Sequence, residues 1–141
     1  MKRMKKRHKT KIDKEFVADE AKKIQKEDLK KLHRKKSRLK KILNLKVFAK
    51  QKDKLKLLLE ILQQYRKGYY RKIPWRSVAA ITFTLLYIIN PLDMIPDVLP
   101  VVGYVDDISV FMGLLKLVDQ DIDEYENWKA VEQNLVDESN T

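Results

Sequence analysis

Four carboxylates, Asp93, Asp97, Asp106 and Asp107, fall within one stretch that reads Asn90-Pro91-Leu92-Asp93-Met94-Ile95-Pro96-Asp97 and continues through Pro100 and Gly103. Brought together, they would offer oxygen ligands to a hard cation such as Mg²⁺ or Ca²⁺, and a metal held there would support metal-assisted hydrolysis. The spacing is not that of an EF-hand loop, acids do not recur at alternate positions, and no His or Cys lies nearby. Each acid also has a local structural task. Asn90 suits an N-cap, Pro91 the first helical position and Asp93 the acid of a capping box. Asp97 after Pro96 repeats the device, and Asp106 and Asp107 fall in the first turn of the next helix, where negative charge complements the macrodipole. Gly103 supplies a backbone position free of Cβ constraints. Capping is the expectation, a cation site is the alternative, and no metal is assigned.

A second set of residues could bind rather than react. Lys35, Lys36, Arg38, Lys40 and Lys41 make the densest positive patch, and Arg71, Lys72 and Arg76 interleave with Tyr69, Tyr70 and Trp75. At a bilayer the second pattern is an interfacial aromatic belt with a basic flank. In a nucleic-acid binder the same residues would stack bases and hold phosphates. Because the strip abuts the apolar run from Ser77 to Ile89, an anionic membrane surface is the expected partner and nucleic acid the alternative. If instead Pro74 opens a helix, the aromatics pack into a core.

Charge is divided between the halves of the 141-residue chain. Residues 1–76 hold 29 Lys and Arg against 8 Asp and Glu, whereas residues 77–141 hold 2 against 12. Such asymmetry implies an anionic partner for the basic half or attraction between the halves. The absence of cysteine excludes disulfides, thiolate metal sites and thiol nucleophiles. Both histidines lie in the basic region, which disfavours zinc chemistry. No Ser/His/Asp set, phosphate-binding loop or dinucleotide fingerprint is present, so no enzymatic class, cofactor or small-molecule substrate is indicated.

These residues need helices to position them. Apolar residues recur loosely from Ile12 through Phe16, Ala21, Ile24, Leu32, Leu39 and Ile42 to Leu45, and acids crowd the beginning, which predicts one long basic helix over 13–45 with a thin apolar stripe. The stripe looks too thin to anchor a core, so this arm is expected to be dispensable for folding. Leu55, Leu58, Leu59, Leu62 and Tyr65 share one face of an amphipathic helix over 51–67, closed by Gly68. Two segments that are apolar nearly all round predict helices over 74–89 and 105–118, and an acidic helix follows over 120–136. The fold class expected is all-α, a helical hairpin around the Pro/Asp-rich turn covered by amphipathic helices. The organisation is a basic arm over 1–45, a helical domain over 46–136 and a disordered tail over 137–141. A basic start without a following apolar core argues against export. A spanning helix needs about 20 apolar residues for a core of about 30 Å, more than the run from Ser77 to Ile89 supplies. A re-entrant hairpin in one leaflet, or one buried in protein, fits better than two spans.

Tyr87, the run from Asn90 to Asp97, Pro100 and Gly103-Tyr104-Val105-Asp106-Asp107 together resemble the YkvA-like domain of unknown function of small bacterial proteins. The family pattern has Ser where Asn90 stands, and both residues cap helices well. The resemblance covers about residues 70–120. It implies a bacterial, membrane-associated protein with no established activity; the expected location is the cytoplasmic side of the membrane, with the cytoplasm as the alternative. The expected function is that of a non-enzymatic membrane-associated protein with a basic arm for anionic lipid. The alternatives are a nucleic-acid or ribosome-binding module and a metal-dependent enzyme built on the Asp cluster.

Overall fold

A helix that is apolar on every side must be covered on every side, and this requirement sets the architecture. The computed structural model describes residues 14–44, 46–89 and 107–139. Its elements are α1 (Lys14–Ala21), α2 (Lys26–Arg34), α3 (Lys36–Leu43), a 3-10 segment (Lys46–Gln51), α4 (Lys52–Lys67), α5 (Trp75–Ile89) and α6 (Asp107–Ser139). All regular structure among the described residues is helical, as the pattern predicts. Every residue of α5 from Ser77 to Ile89 is buried. Helices α1, α2, α3, α4 and α6 all pack against it, and α1 also packs against α6.

This arrangement corrects the membrane-embedded reading of the segment from Ser77 to Ile89. Its apolar circumference faces protein on all sides. No helix among the described residues is long and apolar enough to cross a membrane. The stretch from Asn90 to Asp106 lies outside the described residues.

The predicted helix over 13–45 is three helices. Between α1 and α2 the Asp28 carboxylate accepts a hydrogen bond from the Gln25 backbone N–H at 2.8 Å, half of a capping box that starts a new helix. Between α2 and α3 only Lys35 departs from helical geometry, and its N–H still donates to the carbonyls of Lys31 and Leu32. The breaks let one stripe of side chains wrap around α5. Phe16, Val17, Ala21, Ile24, Leu29, Leu32 and Leu39 are all buried, and Phe16 meets Phe83 edge-on at 6.1 Å. The stripe that looks thin in sequence is therefore core, because α5 needs only one residue per turn from each covering helix.

Helix α4 buries Leu55, Leu58, Ile61 and Leu62. It ends as predicted at Gly68, whose φ of +87° is a left-handed conformation that side chains with a Cβ rarely adopt. The Tyr69 N–H donates to the Gln64 carbonyl at 3.0 Å and the Gly68 N–H to the Tyr65 carbonyl at 3.1 Å, the two bonds of a Schellman motif. At the other end of the molecule α6 is a single helix of 33 residues rather than two. Asp119, Asp121 and Asp123 add charge to it without breaking it, and no Gly or Pro follows Gly113.

Two polar contacts fasten α6. Ser77 Oγ donates to Asp121 from α5, and the Tyr125 hydroxyl donates to Glu60 on α4, where Lys129 Nζ approaches the same carboxylate at 2.8 Å. Partial burial acts to raise the Glu60 pKa, but the hydrogen bonds from Lys129 and Tyr125 and the Lys129 charge outweigh it, leaving the value below 4.5. Burial and the Glu60 carboxylate push the Tyr125 phenol above its ordinary 10.

Phe16→Ala should cost about 3–5 kcal/mol, read as a drop in the urea midpoint at unchanged slope, and a chain lacking residues 1–45 should not unfold cooperatively. Unchanged unfolding of that shorter chain would show that the stripe contributes nothing to the core. A second expectation concerns pH. Because the folded-state pKa of Glu60 is depressed, its contribution is present above about 4.5 and is lost as pH falls through the lower folded value. The stability difference between the parent and Tyr125→Phe, about 1 kcal/mol at pH 7, should therefore shrink by pH 3. A difference that stays constant would remove Glu60 from the account.

Candidate functional site

Cations four apart on a helix share a face, so α3 presents Lys36 and Lys40 together while placing Arg38 and Lys41 elsewhere. Lys36 and Lys40 stand at the edge of a cleft of about 160 Å³ between α2, α3 and α4. Its floor is apolar, made by Leu29 and Leu32 of α2, Leu39 of α3, and Leu59 and Leu62 of α4. Around that floor stand His33, Lys36, Lys40, Gln63 and Arg66, and no carboxylate lines the cleft.

Among the described residues no carboxylate forms an ion pair with the cations at the rim. Arg66 Nη2 donates to His33 Nε2 at 3.2 Å, which requires an imidazole that is neutral at that nitrogen. Partial desolvation of the ring, with the charges of Arg66 and Lys36, holds the His33 pKa below 6.5, in keeping with that role. Lys36, Lys40 and Arg66 thus surround an apolar floor as three fixed positive charges.

Other basic residues singled out in the sequence go to different places. Lys35 is half-buried at the break between α2 and α3, while Arg38 and Lys41 are exposed outside the cleft. The Arg71 guanidinium lies over the Tyr65 ring at 4.4 Å from its centroid, and Lys72 is exposed. Arg76 lines a second cleft of about 380 Å³ with Lys22, Ser77 and Asp121. Ser77 is bonded there to a carboxylate and no imidazole lines the cleft, so it offers no Ser/His/Asp set.

The aromatic strip is corrected at Tyr70. The expected membrane-interface residue is 1% exposed, packed against Tyr125 at 5.0 Å and Trp128 at 4.9 Å. Burial and the charges of Glu124 and Asp121 push its phenol pKa up. Trp75 is half-buried beside Tyr65, and Tyr69 alone of the three is largely exposed, at 69%. Tyr70 faces inward because α6 supplies Tyr125 and Trp128 as its aromatic partners.

The motif residues Asn90, Pro91, Asp93, Pro96, Asp97, Pro100, Gly103 and Asp106 lie outside the described residues. Asp107 is the first described residue of α6. Among the described residues no group of three or more His, Cys, Asp or Glu is placed to hold a metal.

Sequence reasoning missed His33 and Arg66. A signal was present in both strands of the cleft's lining: Leu29, Leu32, His33 and Lys36 recur at helical spacing, and so do Leu59, Leu62, Gln63 and Arg66. Polar residues at the edges of two apolar stripes mark the rim. That the two stripes face each other depends on how both helices lean on α5, which spacing within either helix does not encode.

The family described as a protein of unknown function, DUF1232, matches residues 77–113, which comprise α5, the motif stretch and the first turns of α6. The chain is 33% identical over 70 residues to a Bacillus subtilis protein named uncharacterized membrane protein YkvA. That match covers 50% of this chain and 66% of the relative's length. No solved structure matches the chain. The family match lies over the helix that organises the core and over the motif that follows it, and along that stretch the chain is similar to the YkvA-like family.

Proposed function

We propose that the protein is a non-enzymatic peripheral membrane protein that holds anionic lipid headgroups on its basic surface, at the cytoplasmic side of a bacterial membrane. The observation that carries this reading is a set of unneutralised cations. Lys30, Arg34, Lys36, Arg38, Lys40 and Lys41 are exposed on α2 and α3, and none forms an ion pair with a carboxylate among the described residues. Each such cation near an anionic bilayer contributes about 1 kcal/mol, so a cluster of this size suffices for attachment without an inserted helix. The name of the Bacillus subtilis relative supports a membrane location. The full burial of α5 favours attachment at the surface over insertion of that segment.

Nucleic acid is the second reading, since the same cations would meet phosphates. Against it, the aromatic strip that would stack bases is mostly withdrawn into the protein, with Tyr70 buried and Trp75 half-buried.

Sedimentation with vesicles tests the reading. The protein should pellet with phosphatidylserine-containing vesicles at low salt, stay in solution with phosphatidylcholine alone, and be released near 1 M salt, where the screening length falls to about 3 Å. Changing Lys36, Arg38, Lys40 and Lys41 together to Gln should weaken association at least about tenfold. Protein that remains in the supernatant with acidic vesicles at low salt would refute it.

A further inference from the structure

We infer that the cleft between α2, α3 and α4 binds one molecule of a single-chain anionic amphiphile, an alkyl chain of the fatty-acid kind with its carboxylate held by Lys36, Lys40 and Arg66. This stands on the cleft itself and does not rest on attachment to a membrane surface. Three features of the geometry select that class of ligand. The first is size: about 160 Å³ is close to the roughly 150 Å³ of an apolar cavity that takes up one benzene, which is room for about six carbons at the carboxylate end of one chain, with the rest of a longer chain outside the cleft, and not for a pair of acyl chains. The second is the division of the lining, with five leucines forming the floor and the cations standing at its edge. Four of these leucines are already buried and Leu59 is half-buried, so a free anion would leave only their outer edges uncovered, and a neutral hydrocarbon would leave the exposed cations to water. A molecule that is apolar along its length and negative at its end covers those edges and meets the cations at once.

The third feature is the contact between Arg66 and His33. A guanidinium with a carboxylate in reach takes it, commonly through two parallel bonds. Here Arg66 donates at 3.2 Å to a neutral imidazole, because the cleft contains no acid. A bound carboxylate at this rim would accept from Arg66, Lys36 and Lys40. It would also reverse the electrostatics at His33, whose ring now faces only the positive charges of Arg66 and Lys36. His33 thereby becomes a reporter of occupancy.

The test is a titration of the full-length protein with dodecanoate below its micelle concentration and without vesicles, followed by calorimetry and by NMR of the His33 ring. Saturable binding of one dodecanoate per chain is expected, with the His33 pKa rising on saturation. Arg66→Gln and the double change Lys36→Gln, Lys40→Gln should each weaken binding at least about tenfold. All three side chains are exposed, so circular dichroism should show an unchanged helical fold. The control pair Arg71→Gln, Lys72→Gln, outside the cleft, should bind within about twofold of the parent. Acetate and inorganic phosphate, which carry the charge without the chain, and dodecanol, which carries the chain without the charge, should bind far more weakly. Dodecanol binding as tightly as dodecanoate, phosphate binding as tightly as either, or cleft variants that match the parent would each overturn the inference. Failure here with retained vesicle sedimentation would leave the surface reading intact, and the reverse outcome would leave the cleft.

Discussion

Helix α5 has no polar face, and this constraint is what the rest of the structure answers. A surface helix is half-solved by leaving one side in water, but a helix apolar all round is stable only when surrounded. Five helices from both ends of the chain converge on it, and the 3-10 segment buries Phe48 against Phe111 of α6 at 6.5 Å. Burying a large apolar side chain contributes about 1.5–3 kcal/mol, so α5, buried at every position from Ser77 to Ile89, is a large source of stability and also the element least able to exist alone. Its polar residues show the same pressure. Thr82 returns its hydroxyl to the Val78 carbonyl at 2.8 Å, whereas the buried Thr84 hydroxyl has no partner among the described residues.

That demand explains how the charged half of the chain became structural. A basic helix usually reads as an arm, since its cations prefer water. Here the cations keep to water while one stripe of Phe, Val and Leu beneath them covers α5. The same side chains could not be fitted to α5 by a straight helix over 13–45, so the path bends at Gln25 and at Lys35. Both positions are where polar residues take over backbone hydrogen bonding or geometry. The cleft at α2, α3 and α4 is a by-product of this wrapping, a place where three covering helices diverge over an apolar floor.

Legibility in the sequence tracked locality. The ends of α4, the start of α5 and the left-handed cap at Gly68 follow from side chains within one turn of the position concerned, and each was readable. The break at Gln25 was readable too, since an acid three residues on is a local signal, but the expectation of one long helix passed over it. What could not be read was mutual orientation. Tyr70 has the same neighbours in sequence as Tyr69, yet one is buried and the other exposed because Tyr125 and Trp128 come from a helix far along the chain. His33 and Arg66 meet for the same reason, although each alone resembles an ordinary charged or polar surface residue.

The order in which the chain is made gives the packing of α1 on α6 a temporal meaning. Helix α1 ends at Ala21 and α6 begins at Asp107, so the apolar stripe of the first helices is synthesised well before the element that completes its cover. At about 5–20 residues per second, several seconds separate the two on the ribosome. During that interval Phe16, Val17 and Leu39 have no finished core to enter, and the nascent segment is strongly positive. Closure of the fold must await α6, so its last step is a non-local contact even though all regular structure among the described residues is helical.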